Sequence, residues 1–476
     1  MSRIALVYTE GGHWNNAEPL QVAVMETHKR VLGEEHPDTL ISITNLASTY
    51  SHQGRWNDAE VLEVAVMETS KHVLGEEHPA TLMRVANLAS TYHYQGRWND
   101  AEALEVAVME TSKRVLGEEH LDTLTSIANL VSTYQSQGRW NDAEALEVAV
   151  METSKRVLGE EHPSTLTSIA NLASTYLNQG RWNDAEVLEV AVMEISKRVL
   201  GEEHPSTLTS IANLASTYRN QGRWSDAEPL EMAVTETSKR VLGEEHPDTL
   251  TRINNLALTY LNQGRWNDAE PLQVAVMETS KRVLGEEHPD TLTSINNLAL
   301  TYNYQGRWND AEPLQVAVME TSKRVLGEEH PATLMSITSL ASTYWNQGRW
   351  NDAEALEVAV METSKRVLGE EHPDTLTSIA NLASTYRKQG RWNDAEPLQV
   401  AVMETSKRVL GEEHPATLMS ITSLASTYWN QGRWNDAEAL QVAVIETSKR
   451  VLGEEHPDTL TRITNLASMY QNQGGT

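Results

Sequence analysis

This 476-residue sequence contains no cysteine, so it holds no disulfide framework and offers no thiol chemistry. Such a composition fits a reducing compartment. Nowhere does the chain reach the run of ~18 apolar residues that a membrane-spanning helix needs. Its start, Met1 to Glu10, lacks the basic residues and long apolar core of a secretory signal. The expected location is therefore cytoplasmic, with no membrane partner. Basic charge is scarce: 38 Lys and Arg stand against 67 Asp and Glu, a net charge of −29. Nucleic-acid binders present a basic face, so nucleic acid is not an expected partner. The sequence has no G-x-S-x-G, no Gly-rich phosphate loop and no H-E-x-x-H. No catalytic residue and no cofactor is expected.

What the chain does have is a tryptophan every 42 residues, eleven times running from Trp14, Trp56 and Trp98 to Trp434, each within a G-R-W-N-D-A-E-like segment. A period of this size marks a solenoid built from one supersecondary unit. Length alone would suggest about three domains, but one continuous array accounts for the whole chain. The acidic residues are unevenly placed. Glu60, Glu63 and Glu68 recur in one half of each unit and Glu34 and Glu35 in the linker, whereas Thr39 to Gln53 holds no Glu. This layering reads as solubility for an extended array.

The unit from Pro79 to His120 shows how the repeat folds. Leu82, Val85, Leu88, Ala89 and Tyr92 recur at steps of three and four, which predicts an amphipathic helix, A. Pro79 suits its first turn and Gly96 its C-terminal stop. A second helix, B, follows Arg97-Trp98, with Asn99 or Asp100 expected to cap it and Glu102 near capping-box spacing. Leu104, Ala107, Val108, Val115 and Leu116 are expected to form its buried face, Glu110 and Arg114 an i,i+4 pair worth about 0.3 kcal/mol, and Gly117 its end. All prolines fall at two positions of the repeat. Those at Pro19, Pro229, Pro271, Pro313 and Pro397 are expected within the first turn of helix B, so that none interrupts a helix interior. The tryptophan column is expected to seal the A–B turn against the next unit. One unit cannot bury enough apolar surface to fold alone and must stack on its neighbours.

The units divide into a truncated first repeat at 1–36, ten full repeats at 37–456, and an unpaired helix A at 457–476. Ile4 to Gly12 matches only the last half of a helix A, and nothing covers the final one. The expectation is a piece of a longer protein, or end-to-end self-association.

The pattern N-L-A-x-x-Y-x-x-Q-G-R-W-x-x-A-E-x-L followed by V-L-G-E-E-H-P resembles the tetratricopeptide repeat (TPR) of kinesin light chains. It is closest to the arrays of that type in fungal NLR-like (STAND) proteins. The resemblance covers essentially the whole chain. It implies an all-α TPR α-α superhelix, right-handed, with helix A lining a concave groove that binds a protein or peptide. The kinesin light chain heptad coiled coil and the NLR-like nucleotide loop do not occur in this sequence, and a small residue late in helix B is replaced by Val, as at Val108.

Comparing the units with one another locates the candidate site. An asparagine ladder recurs at Asn87, Asn129, Asn171, Asn213, Asn255, Asn297 and Asn381, as well as Asn45 and Asn465, with Ser339 and Ser423 substituting. Its amide offers donors and acceptors to an extended peptide backbone, and the resemblance implies that this Asn faces bound peptide. Beside it, variation concentrates at Met83, Thr125 and Ile41; at Ala86, Asn254 and Thr338; at Ser90, Leu258 and Leu300; and at the pair after the helix A tyrosine. These steps of three and four form one helical stripe. Arg84, His93, Tyr94, Arg219, Leu258, Leu300, Tyr304, Trp345, Arg387, Lys388 and Trp429 are the candidate specificity residues, because aromatics and Arg carry binding energy at interfaces. The Glu34-Glu35-His36 triplet is adjacent in sequence and does not converge on one ion, so no metal site is expected. A structural spacer or self-associating rod is the alternative function.

Overall fold

The computed structural model describes residues 2–474, and among these it contains 23 helices and no strand. The first pair is α1 (Ser2–Glu10) and α2 (Trp14–Leu32); α3 (Pro37–His52) with α4 (Trp56–Leu74) and α5 (Pro79–Tyr94) with α6 (Trp98–Leu116) follow. The A–B alternation continues through α22 (Trp434–Val451) to α23 (Pro457–Gly474). Successive helices pack on one another, as α5 on α6, α6 on α7 and α19 on α20, in the all-α helix-pair architecture expected.

Helix A starts on a histidine cap. The Nδ1 of His78 accepts the N–H of Ala80 at 3.1 Å while Pro79 occupies the first turn, where its missing donor is not needed. His120 caps the helix that begins at Leu121 in the same way, so the one unit without this proline starts at the same place. Helix A ends in a Schellman motif: Gly96 has φ 73°, and the Arg97 N–H reaches back to the Tyr92 carbonyl at 2.9 Å. Helix B then starts at once, on Trp98.

Three details differ from the sequence-based expectation. Neither Asn99 nor Asp100 caps helix B; Arg97 occupies the cap position without a side-chain cap bond, and Asp100 instead binds the Arg97 guanidinium at 2.8 Å. Because the helix begins at Trp, Pro19, Pro229, Pro271 and their equivalents lie inside it, at its sixth residue. Each removes one i→i−4 donor. Arg114 pairs with Glu77 of the preceding linker at 2.9 Å rather than with Glu110.

The core is a chain of inter-repeat clusters, such as Met67, Leu82, Val85, Leu88 and Val108, with Tyr92 and Leu104 partly buried beside them. Ala107 and Val115 are exposed, against expectation. The buried stripe of α6 is Ala101, Glu105, Val108 and Ser112, because two polar residues sit where the helix meets its neighbours. Arg97 links units: its guanidinium lies 4.0 Å over the Tyr92 ring and pairs with Glu60 of the preceding unit at 3.0 Å. Gln95 donates to the same carboxylate at 2.8 Å. Exposed pairs of this kind contribute about 0.2–1 kcal/mol each, but this one recurs along the array.

The chain forms two compact units, one of Met1–Tyr176, Asn183–Ser216 and Ala227–Leu298, the other of Leu177–Trp182, Thr217–Asp226 and Ala299–Thr476. Each contains a contact between segments 236 residues apart, which is between five and six repeat periods. In the first, His288 Nε2 lies 2.8 Å from the His52 carbonyl, and the Pro289 ring packs on Gly54. In the second, His414 Nε2 lies 3.0 Å from the Asn178 carbonyl, and Pro415 packs on Gly180. In each unit an A–B turn thus meets the start of a later helix A.

Candidate binding surface

The ladder asparagines sit on helix A at half-buried positions: Asn87, Asn129, Asn171, Asn213, Asn255, Asn297 and Asn381 are neither in the core nor fully solvated. Steps of 42 residues place them on successive helices, and several line the recesses between one helix A and the next. One recess, of about 540 Å³, is lined by Met83, Ala86, Val108, Thr125, Ser126 and Asn129, among others. A second, of about 210 Å³, holds Asn171 with Thr125, Ala128, Thr167 and Glu147. Another carries Asn254 and Asn297, whose side chains hydrogen-bond at 3.0 Å, with Asn297 donating. The recess walls are apolar with a few polar groups, the usual composition of a ligand-binding concavity. Met83, which lines the first recess, is exposed, as are Met335 and Met419 at the equivalent position of later repeats.

The candidate specificity residues separate into two sets. Tyr94, Leu300, Tyr304 and Lys388 are exposed. Tyr94 stacks on Trp56 of the preceding unit with centroids 6.1 Å apart, and Lys388 lies 4.7 Å over the Trp345 ring. The others are buried or half-buried, and His93 and Arg387 contact the next repeat. His93 Nδ1 lies 3.1 Å from Thr133 Oγ1, and burial pushes its pKa down. Arg387 donates to Ser426 at 2.6 Å. Burial likewise lowers the pKa of Arg387 and of the buried Arg84. Leu258 packs with Ala257, Leu261 and Ala269; Arg219, Trp345 and Trp429 are half-buried. The Trp column is a surface feature, with Trp14 stacked on His52 of the following unit at 5.1 Å.

One buried polar position escaped sequence reading. The second buried residue of helix B is Glu in six units and Gln in five, at Glu63, Glu105, Glu147, Glu189, Glu231 and Glu357 against Gln21, Gln273, Gln315, Gln399 and Gln441. Burial pushes the carboxyls of Glu63, Glu105, Glu147 and Glu357 up to about 7, opposed by hydrogen bonds from Thr91, Thr133, Thr175 and Thr385. The signal was in the sequence, because exchange of an acid for its neutral isostere at one position suits a site that disfavours charge.

Among the described residues, no group of three or more His, Cys, Asp or Glu side chains could hold a metal ion. No helix among them is long and apolar enough to cross a membrane. Fold and surface together define a repeat scaffold of stacked helix pairs. The family profile for the tetratricopeptide repeat matches residues 1–38, 39–80, 81–122, 123–164, 165–206, 207–248, 333–374, 375–416 and 417–458. A second tetratricopeptide repeat profile matches 251–315. The chain belongs to the tetratricopeptide repeat family. Among solved structures it is similar to the kinesin light chain nearly identical TPR-like repeats of Podosopora anserina, at 32% identity over 43% of this chain and 98% of that one, with a TM-score of 0.37. It is also similar to a Rap protein complexed with Competence and Sporulation Factor, at 10% identity over 74% of this chain and 99% of that one, with a TM-score of 0.47. No curated protein sequence matches it.

Proposed function

We propose that this chain is a binding scaffold that holds an extended protein or peptide segment along its helix A face. The observation that carries this reading is the placement of Asn129 and Asn171 in the recesses between successive helices A, where each amide is half-buried among apolar walls. An amide held there supplies donors and acceptors at every repeat step, suited to a peptide backbone. The exposed side chains Tyr94, Leu300, Tyr304 and Lys388 then set specificity, with the half-buried His93, Arg219, Trp345, Arg387 and Trp429 shaping the surface beside them. In a longer protein, such an array would serve as the ligand-sensing part of a receptor of the NLR-like type or as a cargo adaptor.

Peptide-display selection against the folded chain tests this, counter-screened with an Asn129→Ala, Asn171→Ala, Asn213→Ala variant. Selected peptides should bind the variant at least about tenfold more weakly, the loss expected from removing one or more buried polar contacts. Equal binding by the two proteins, at equal helicity, would remove the ladder from the binding role. No enrichment on the parent would remove the groove itself.

A further inference from the structure

The recess that holds Asn171 is also lined by Glu147, contributed by the helix B α8 (Trp140–Leu158). Among the described residues that line this recess, Glu147 is the only charged side chain, and it is 3% exposed. Half of its carboxyl is used within the protein. Oε1 accepts from Gln135 at 3.4 Å, and Thr175 also hydrogen-bonds the group. Oε2 is buried and accepts no hydrogen bond. The charge that acts on this carboxyl is Glu144, which has the same sign.

The same kind of atom is left over in other repeats. Oε2 of Glu63, Glu105 and Glu357 is likewise buried without a hydrogen bond. Where Gln stands in this slot, the orientation of its amide decides which atom remains. Gln399 donates from Nε2 to the Ser423 carbonyl at 3.3 Å, and a carbonyl can only accept, so Oε1 is the atom without a partner. With either residue the unused atom is an acceptor, and its complement is a donor. The acidic form fills five successive repeats at Glu63, Glu105, Glu147, Glu189 and Glu231, each no more than 7% exposed and all in the first compact unit.

The recess around Glu147 has a volume of about 210 Å³ and apolar walls that include Leu124, Ala128, Val131 and Val150. Such walls suit a chain of methylenes, and the unused oxygen suits a charged donor at its end. Lysine combines the two. Its ammonium is compact and carries three donors on a thin stem, whereas a guanidinium is a broad plane.

We infer that the ligand segment carries lysine, laying its methylenes along the apolar walls of this recess and bringing its ammonium to the free oxygen of Glu147, with further lysines meeting the equivalent acids of the first unit. The inference rests on the peptide-binding reading above and adds the charge of the ligand to it. An ammonium at this point supplies the opposite charge that favours the ionised carboxyl, which burial alone disfavours.

Fluorescence-anisotropy titration with labelled hexalysine tests the inference, at a pH of about 8, where the raised carboxyl is ionised. The parent is compared with a slot variant carrying Glu63→Gln, Glu105→Gln, Glu147→Gln, Glu189→Gln and Glu231→Gln. Because the whole chain is acidic, a control variant removes as many charges from the exposed linkers, by Glu76→Gln, Glu118→Gln, Glu160→Gln, Glu202→Gln and Glu244→Gln. The slot variant should bind at least about tenfold more weakly than the parent. The linker variant should stay within about threefold of it, since exposed charges are screened by salt. Hexa-acetyllysine should not distinguish the three proteins. Glutamine occupies the same buried slot at Gln273 and Gln399, so the slot variant should keep its helicity. If it does not, Glu147→Gln against Glu160→Gln carries the same comparison. Equal weakening in both variants would reduce the binding to net charge and overturn the inference. If hexalysine binds parent and slot variant alike while display-selected peptides still require the ladder asparagines, the lysine assignment falls and the peptide-binding reading stands. A parent that binds neither hexalysine nor any selected peptide overturns both.

Discussion

Raising the pH from about 5 to about 8 should lower the stability of this chain, and replacing Glu63, Glu105, Glu147 and Glu357 by Gln should remove most of that loss. The four carboxyls are buried beside neighbouring helices, and their folded-state pKa is raised to about 7. A raised pKa means that the folded protein holds a proton that the unfolded chain releases. The associated stability is fully present below the ordinary carboxylate value and is lost as pH rises through about 7. At roughly 1.4 kcal/mol per pKa unit, each site contributes up to about 3 kcal/mol. The residues beside each carboxyl are known: Glu63, for example, has the threonine donor Thr91 and the nearby Glu60, itself paired with Arg97. His52, His93 and His414 have pKa values lowered mainly by burial. They act in the opposite sense, losing stability as pH falls below about 6.5. The decisive quantity is therefore the difference in Tm between parent and quadruple variant across the pH series. It should widen in favour of the variant as pH rises toward about 8. A difference that stays flat would show that these carboxyls titrate as if exposed. Glutamine already fills this slot at Gln273, Gln315 and Gln441, each 1% exposed, so the substitution introduces no foreign shape.

The second large effect separates two glycines of identical local conformation. Gly54 has φ 71° and Gly348 φ 77°, so alanine at either position loses roughly 1 kcal/mol to the left-handed backbone. At Gly348 nothing more is lost, since a Cβ meets open space. At Gly54 the Cβ would come 2.4 Å from Cδ and 2.9 Å from Cγ of Pro289, a ring fixed to its own backbone. One side of the contact must move, an overpacking loss of about 1–3 kcal/mol beyond the first. In a solenoid such a loss opens the array locally. Hydrogen exchange at α15 (Pro289–Tyr304) should therefore accelerate in Gly54→Ala and stay unchanged in Gly348→Ala. Equal exchange in the two variants would mean that the 236-residue contact adds nothing to stability.

Much of this protein is legible one residue after another. The 42-residue period, the proline and glycine punctuation, and the apolar steps of Leu82, Val85, Leu88 and Tyr92 fix the helix pairs, because each is a local property of the chain. The ladder asparagines are equally legible as a pattern. Other features required the packed structure. Glu105 and Ser112 lie outside the buried face expected from the sequence, yet they are buried, while Val115 belongs to that expected face and stands exposed. The difference arises because a helix flanked by its own partner and the following unit buries a stripe set by their crossing, not by hydropathy alone. His93 and Arg387 look like free specificity residues until Thr133 and Ser426 are found beside them. The meeting of Pro289 with Gly54 lies furthest from the sequence, since it depends on small rotations accumulated between successive repeats over 236 residues. Each rotation follows from side-chain packing at one interface, and only their sum decides which turn meets which helix start.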